Sequence, residues 1–216
     1  MRAQEVSSPE SLLAAAQTAA SVQLRYAQRG MSLATAALAG ARTLEPLRHY
    51  PLNDVVDAEA GTRFYYHAHT SSRYPAAEHG HFHLFVHDPA ADGPGFFHLA
   101  GLSLDACGQP LRFFATNRWV TGEHWSPGER VAAALPGFRL RTRGRLAPLA
   151  DWLTAMVQLF AYDIAALLRE RDAAIAPHIH TAGLDAALED RRLDVLSERS
   201  ISAPERLRAL SVQFQE

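Results

Sequence analysis

The period of hydrophobic and polar positions changes twice along the chain. Near the N-terminus, Leu12, Leu13, Ala16, Ala20 and Leu24 recur at three- and four-residue intervals, which predicts a helix. Ser8, Pro9 and Glu10 give its start a capping side chain, a preset φ and an early acid, and Gly30 is the expected stop. A second short helix, SLATAALAGA, follows Met31. From Leu44 to Asp57 the text is irregular, and HYPLNDVVD, interrupted by Pro51, fits a connection or an edge strand.

From Thr62 to about Thr142 the pattern shortens to that of strands. TRFYYHAHT, GHFHLFVHD, FFHLAGLSLD and PLRFFATN are predicted strands, RWVTGEHW and GFRLRT are further candidates, and ADGPG, DACGQ and SPGE separate them. Pro148 opens the strongest helix, PLADWLTAMVQLFAYDIAALLRERD. There Leu149, Trp152, Leu153, Met156, Phe160, Ile164, Leu167 and Leu168 mark one apolar face. EDRRLDVLSERS shows no decisive period, and a last helix is expected from about Ala203. The expected class is α+β: an antiparallel sheet or small barrel flanked by N-terminal helices and a long C-terminal helix. One domain is expected over residues 1–216, with a helical segment 1–43, a β-rich core 44–146 and a helical segment 147–216.

Composition narrows the function classes. A 48% hydrophobic content is enough for one sizeable core. The 21 basic residues, all arginine, nearly balance 23 acidic ones at a net charge of −2, so neither a nucleic-acid nor a membrane partner is expected. The absence of lysine and the abundance of alanine suggest GC-rich bacterial coding. Cys107, alone in LDACGQPL, excludes an intrachain disulfide and a cysteine-based zinc or iron–sulfur site, and reads as an inert turn residue. No run is apolar for the roughly 18 residues a membrane span requires. Glu5 and Glu10 stand where a signal peptide would be basic and then apolar, so a cytoplasmic protein is expected. No pattern specifies an oligomeric state.

Candidate chemistry concentrates in FYYHAHTSSRYPAAEHGHFHLFVHD, which holds six of the eleven histidines. Strand alternation puts Tyr65, His67 and His69 on one face, and His79, His81, His83, Phe85 and His87 on one face of the next strand, with Phe82, Leu84 and Val86 opposite. A hairpin turning around Tyr74 and Pro75, with paired numbers summing to about 150, sets His67 opposite His83 and His69 opposite His81, their Cβ atoms roughly 5 Å apart. A single histidine is most often an ordinary hydrogen-bonded residue. Six on one face repel when charged and are costly to bury unless something coordinates them. His67, His69, His81 and His83 are therefore the pool for three or four ligands of a divalent metal, zinc before iron. Glu78 and Asp88 fall on the opposite face unless a bulge intervenes, and Gly80 is where one fits. Tyr65, Phe85 and Tyr74 form either an apolar rim or ordinary strand packing.

In TNRWVTGEHW, Arg118 is a candidate for binding a carboxylate or phosphate and Glu123 for a general base, with Asn117 and His124 as further polar candidates. The ordinary alternative is a strand end with two packed tryptophans. His98 reads as a satisfied core histidine. Arg139, Arg141, Arg143 and Arg145 share one face if extended, as an anion-binding stripe or a solvated edge. Asp163 falls on the apolar helix face, where it needs an Arg or a metal-bound His as partner or must reach solvent. His178 and His180, in a loop, either complete a site or are exposed.

Three resemblances bear on function. HGHFHLF resembles the H-x-H-x-H motif of the histidine triad nucleotide hydrolases and transferases, which implies a nucleophilic His81; Gly80 departs from that family's hydrophobic preference. An H-x-H strand beside a third histidine is similar to the zinc site of α-type carbonic anhydrases, a likeness of geometry alone. HYPLNDVVD, FYYHAHT, EHGHFH, TNRWVT and PLADWLTAMVQLF together resemble a family of uncharacterised bacterial proteins, over about Arg48 to Ser200. That resemblance implies no activity. The residues themselves point to a metal-dependent enzyme acting on a small molecule, hydrolase or lyase by metal-activated water. The alternatives are a non-catalytic metal- or haem-binding or sensing protein, and phosphoryl or nucleotidyl chemistry at His81.

Overall fold

The computed structural model describes residues 8–69, 75–88 and 95–213. Helix α1 (Pro9–Ala27) starts where Ser8 accepts the Ser11 amide with Pro9 in its first turn, and α2 (Leu33–Ala37) is capped in the same way by Ser32. Five strands follow: β1 (Tyr50–Asp57), β2 (Thr62–His67), β3 (Glu78–His87), β4 (Phe96–Asp105) and β5 (Pro110–Thr116). Helices α3 (Arg118–Thr121), α4 (Gly128–Ala132), α5 (Ala147–Leu159), α6 (Ala161–Ala182) and α7 (Leu184–Leu188) come before β6 (Val195–Ser200) and α8 (Ala203–Gln213). The six strands form one antiparallel sheet in the order β1-β2-β3-β4-β5-β6, so of the sheet and the barrel the molecule adopts the sheet. HYPLNDVVD supplies its edge strand β1, and EDRRLDVLSERS supplies β6 at the other edge.

One face of the sheet packs against helices as the alternation predicts. Phe82 meets Trp152 of α5 at a centroid distance of 6.4 Å, and Phe113 meets Phe160 at 5.9 Å. Phe64, Tyr66, Leu84, Val86, Leu102 and Ala115 belong to the same buried cluster. The opposite face is buried as well: Tyr65, His83, Phe85 and Phe114 are each at most 5% exposed.

Four expectations need correction. The long helix is two, because Phe160 leaves helical geometry at φ −115°, and the segments on either side meet at 72°. Both bury apolar faces in one core, so the three-and-four spacing runs through the break unchanged. Asp163 consequently falls in the first turn of α6, where it pairs with Arg206 and lies 3.9 Å from Arg199. RWVTGEHW opens with the helical turn α3 instead of a strand: Asn117 caps it and Gly122, at φ 66°, ends it. GFRLRT is not a strand, since the Leu140 and Arg141 amides bond to Thr154 Oγ1 and the Asp57 carboxylate. Its arginines accordingly form no stripe, and Arg141 pairs with Glu59 while Arg145 bonds the Ala39 carbonyl. His178 and His180 are exposed, as one alternative had it, but on α6. Among the described residues, no single helix is long and apolar enough to cross a membrane.

Candidate metal centre

The β2–β3 hairpin brings the histidines together in a register two residues away from the expected one. His67 is opposite His81 and Tyr65 is opposite His83. Strand β2 ends at His67, so His69 lies in the connection and not across from His81. Tyr74 lies outside the described residues. The outcome is a triad: His67, His81 and His83 each offer a ring nitrogen, and the three nitrogens lie within 4.8 Å of one another. His81 and His83 are almost wholly buried, and His67 is 7% exposed. His69 stays close, its ring 4.7 Å from that of His67 and stacked at 5.2 Å on that of His81.

Two bulges decide what surrounds the triad. In the β3–β4 ladder, Glu78 pairs with Asp105 and Gly80 with Leu104, so β3 carries an extra residue. That bulge is the one Gly80 allowed for. It turns Glu78 to the histidine face, where Oε1 is 2.5 Å from His81 Nδ1, and it sends His79 to the other face against the Tyr66 hydroxyl, 2.8 Å away. The expectation that His79 shares the histidine face is thereby overturned. A second irregularity pairs Leu84 with Ala100 but Phe85 with His98, bringing His98 alongside His83. His98 Nε2 is 2.9 Å from His83 Nδ1, and its Nδ1 is 3.3 Å from Thr116 Oγ1.

One of these contacts has a fixed direction. An ionised Glu78 only accepts, so His81 donates Nδ1–H to it. His67 Nε2 lies 2.8 Å from His81 Nε2, at hydrogen-bond distance. Both His81 nitrogens are engaged within the protein. Glu78 is held ionised although burial opposes it: the hydrogen bonds from His81 and Ser103 and the nearby Arg112 lower its pKa overall. Burial lowers the pKa of His67 to about 2, with His81, His69 and His49 adding repulsion. Burial likewise takes His83 well below the ordinary range, and His98 to about 3. His67, His83 and His98 are therefore neutral, the form in which imidazole binds a metal. His83 Nε2 is buried without a hydrogen-bond partner. Leaving such a group unsatisfied costs about 1–3 kcal/mol, and a metal ion beside His67 and His81 would satisfy it.

The triad could hold a metal ion, with the far nitrogens of His81 and His83 met from behind by Glu78 and His98. Glu78 spends its near oxygen on His81, so a two-histidine, one-carboxylate set is not what the side chains form.

The other candidates have partners of their own among the described residues. Arg118 pairs with Asp185 and Glu189. Glu123 is buried and bonded to Thr121, and burial raises its pKa to about 7. Asn117 caps α3 and bonds the Ala187 carbonyl. His124 lies 3.6 Å from Asp88, which Arg130 also holds. His87 is exposed.

Sequence reasoning passed over His49, Ser103 and Arg112. His49 stacks on Tyr65 at 3.7 Å, lies edge-on to His67 at 5.6 Å and contacts Asp54 at 3.0 Å. No local signal marks it. Ser103 and Arg112 follow His81 across the sheet, a row that strand pairing alone defines.

No curated protein and no solved structure matches the chain. A family model does match, over residues 13–201, and in keeping with the resemblance seen in the sequence to a family without assigned activity, the chain belongs to DUF6969, a domain of unknown function.

Proposed function

We propose that the protein is a metal-dependent enzyme acting on a small molecule, with a divalent ion, zinc before iron, held by His67, His81 and His83. The observation that carries the reading is His83 Nε2: a fully desolvated ring nitrogen with no hydrogen-bond partner, in a triad whose nitrogens lie within 4.8 Å of one another. Three neutral protein ligands leave a fourth position for water, and zinc lowers the pKa of such a water to about 7. Hydrolysis or lyase chemistry by that water follows.

His69 supports a second reading. Its ring sits beside both His67 and His81, and as a fourth ligand it would close the site and make the protein a metal-binding or sensing module. The test begins with elemental analysis of protein purified without a His tag, expected to show one divalent ion per chain. Absence of metal, with none taken up on titration, removes both readings. Azide added to the cobalt-substituted protein then separates them: altered visible bands mean an open position, unaltered bands a closed one.

A further inference from the structure

The cross-strand row that begins with His67 and His81 continues through Ser103 and Arg112. Glu78 enters it from the bulge, and its side chain is only 4% exposed. Both its oxygens are used: Oε1 meets His81 Nδ1, while Oε2 accepts from Ser103 Oγ at 2.7 Å and lies 3.6 Å from Arg112 Nη2. Arg112 is itself buried, packed over the Phe114 ring and paired with Glu198. A buried carboxylate is costly without such partners. The bulge that delivers it also requires a glycine, since a Cβ at Gly80 would lie 2.7 Å from the His67 carbonyl oxygen and from the Tyr66 hydroxyl.

We infer that Glu78 is the positioning residue of the metal centre. It holds His81 with Nδ1–H turned inward and Nε2 facing the metal position, and it supplies the negative charge that a dication bound by three neutral imidazoles lacks. Ser103 and Arg112 hold Glu78 in turn, and Gly80 is the backbone device that brings it across the sheet. This role rests on the metal reading above.

The test compares wild type with Glu78→Gln and Gly80→Ala. The readouts are zinc affinity by chelator competition, the visible spectrum of the cobalt form, and the ring N–H resonances of the metal-free protein. Glu78→Gln is expected to weaken zinc binding about 10- to 100-fold, shift the cobalt bands and move the His81 Nδ1–H resonance upfield. Gly80→Ala should change all three in the same direction although every metal-site side chain remains. Wild type that binds no metal overturns the metal reading and this role together. Wild type that binds, with Glu78→Gln matching its affinity and spectra, overturns only the role of Glu78. Should Glu78→Gln not fold, Glu78→Asp replaces it: the shorter carboxylate loses the His81 contact, and a wild-type zinc affinity there overturns the inference equally.

Discussion

His67 and His81 face each other across the β2–β3 hairpin with their Nε2 atoms 2.8 Å apart. That is a hydrogen-bond distance. Two nitrogens each about 2.0–2.1 Å from a tetrahedral zinc would stand roughly 3.3–3.4 Å apart, so metal uptake requires this pair to spread by about half an ångström. X-ray absorption of the zinc-loaded protein is expected to show a nitrogen shell at about 2.0–2.1 Å with imidazole scattering. A first shell dominated by carboxylate oxygen would contradict the ligand assignment.

Histidine truncation should discriminate between neighbours. His83→Ala and His67→Ala each remove one of three ligands and are expected to abolish stoichiometric metal at micromolar zinc. His69→Ala, outside the triad, should retain one ion per chain. Loss of metal in His69→Ala would instead make it an essential ligand.

Acid should destabilise the metal-free protein before it unfolds for any other reason. His67, His83 and His98 have folded pKa values far below the ordinary 6.5, His67 about 2 and His98 about 3. Between those values and about pH 6.5 the unfolded chain binds protons that the folded one does not, so stability rises with pH and falls on acidification. Each histidine contributes up to about 1.4 kcal/mol per pH unit in that window. Urea midpoints measured from pH 7.5 to 4.5 should fall steeply below pH 6.5, and the double variant His83→Phe, His98→Phe should flatten the slope. A pH-independent midpoint would mean the imidazoles are solvated.

Gly101 supports the site from the sheet floor. A Cβ there would lie 2.2 Å from the Phe114 ring, and that ring packs edge-on to His81 at 5.0 Å and to His83 at 5.7 Å. Gly101→Ala is expected to cost about 1–3 kcal/mol by overpacking and to weaken metal binding as Phe114 shifts, measured by urea unfolding and zinc titration. Wild-type values in both would show that Phe114 moves aside freely.

The strands of the hairpin, the turn of Phe82, Leu84 and Val86 towards the helices, and the gathering of His67, His81 and His83 on the other face could be read from the sequence. The partners of those histidines could not. Glu78 lies on the wrong face by parity until β3 bulges, and His98 reads as a lone core histidine until the irregularity opposite Leu84 and Phe85 sets it beside His83. The break at Phe160 was hidden for a related reason, since α5 and α6 bury their apolar faces in one cluster.

By itself, then, the sequence determined which residues alternate, because the two-residue period is a property of a single strand. Which imidazoles meet, and which carboxylate stands behind them, was decided only in the tertiary structure. Register and bulges belong to pairs of strands, and a shift of two residues or one extra residue at Gly80 exchanges the neighbours of every ring without altering the pattern along either strand.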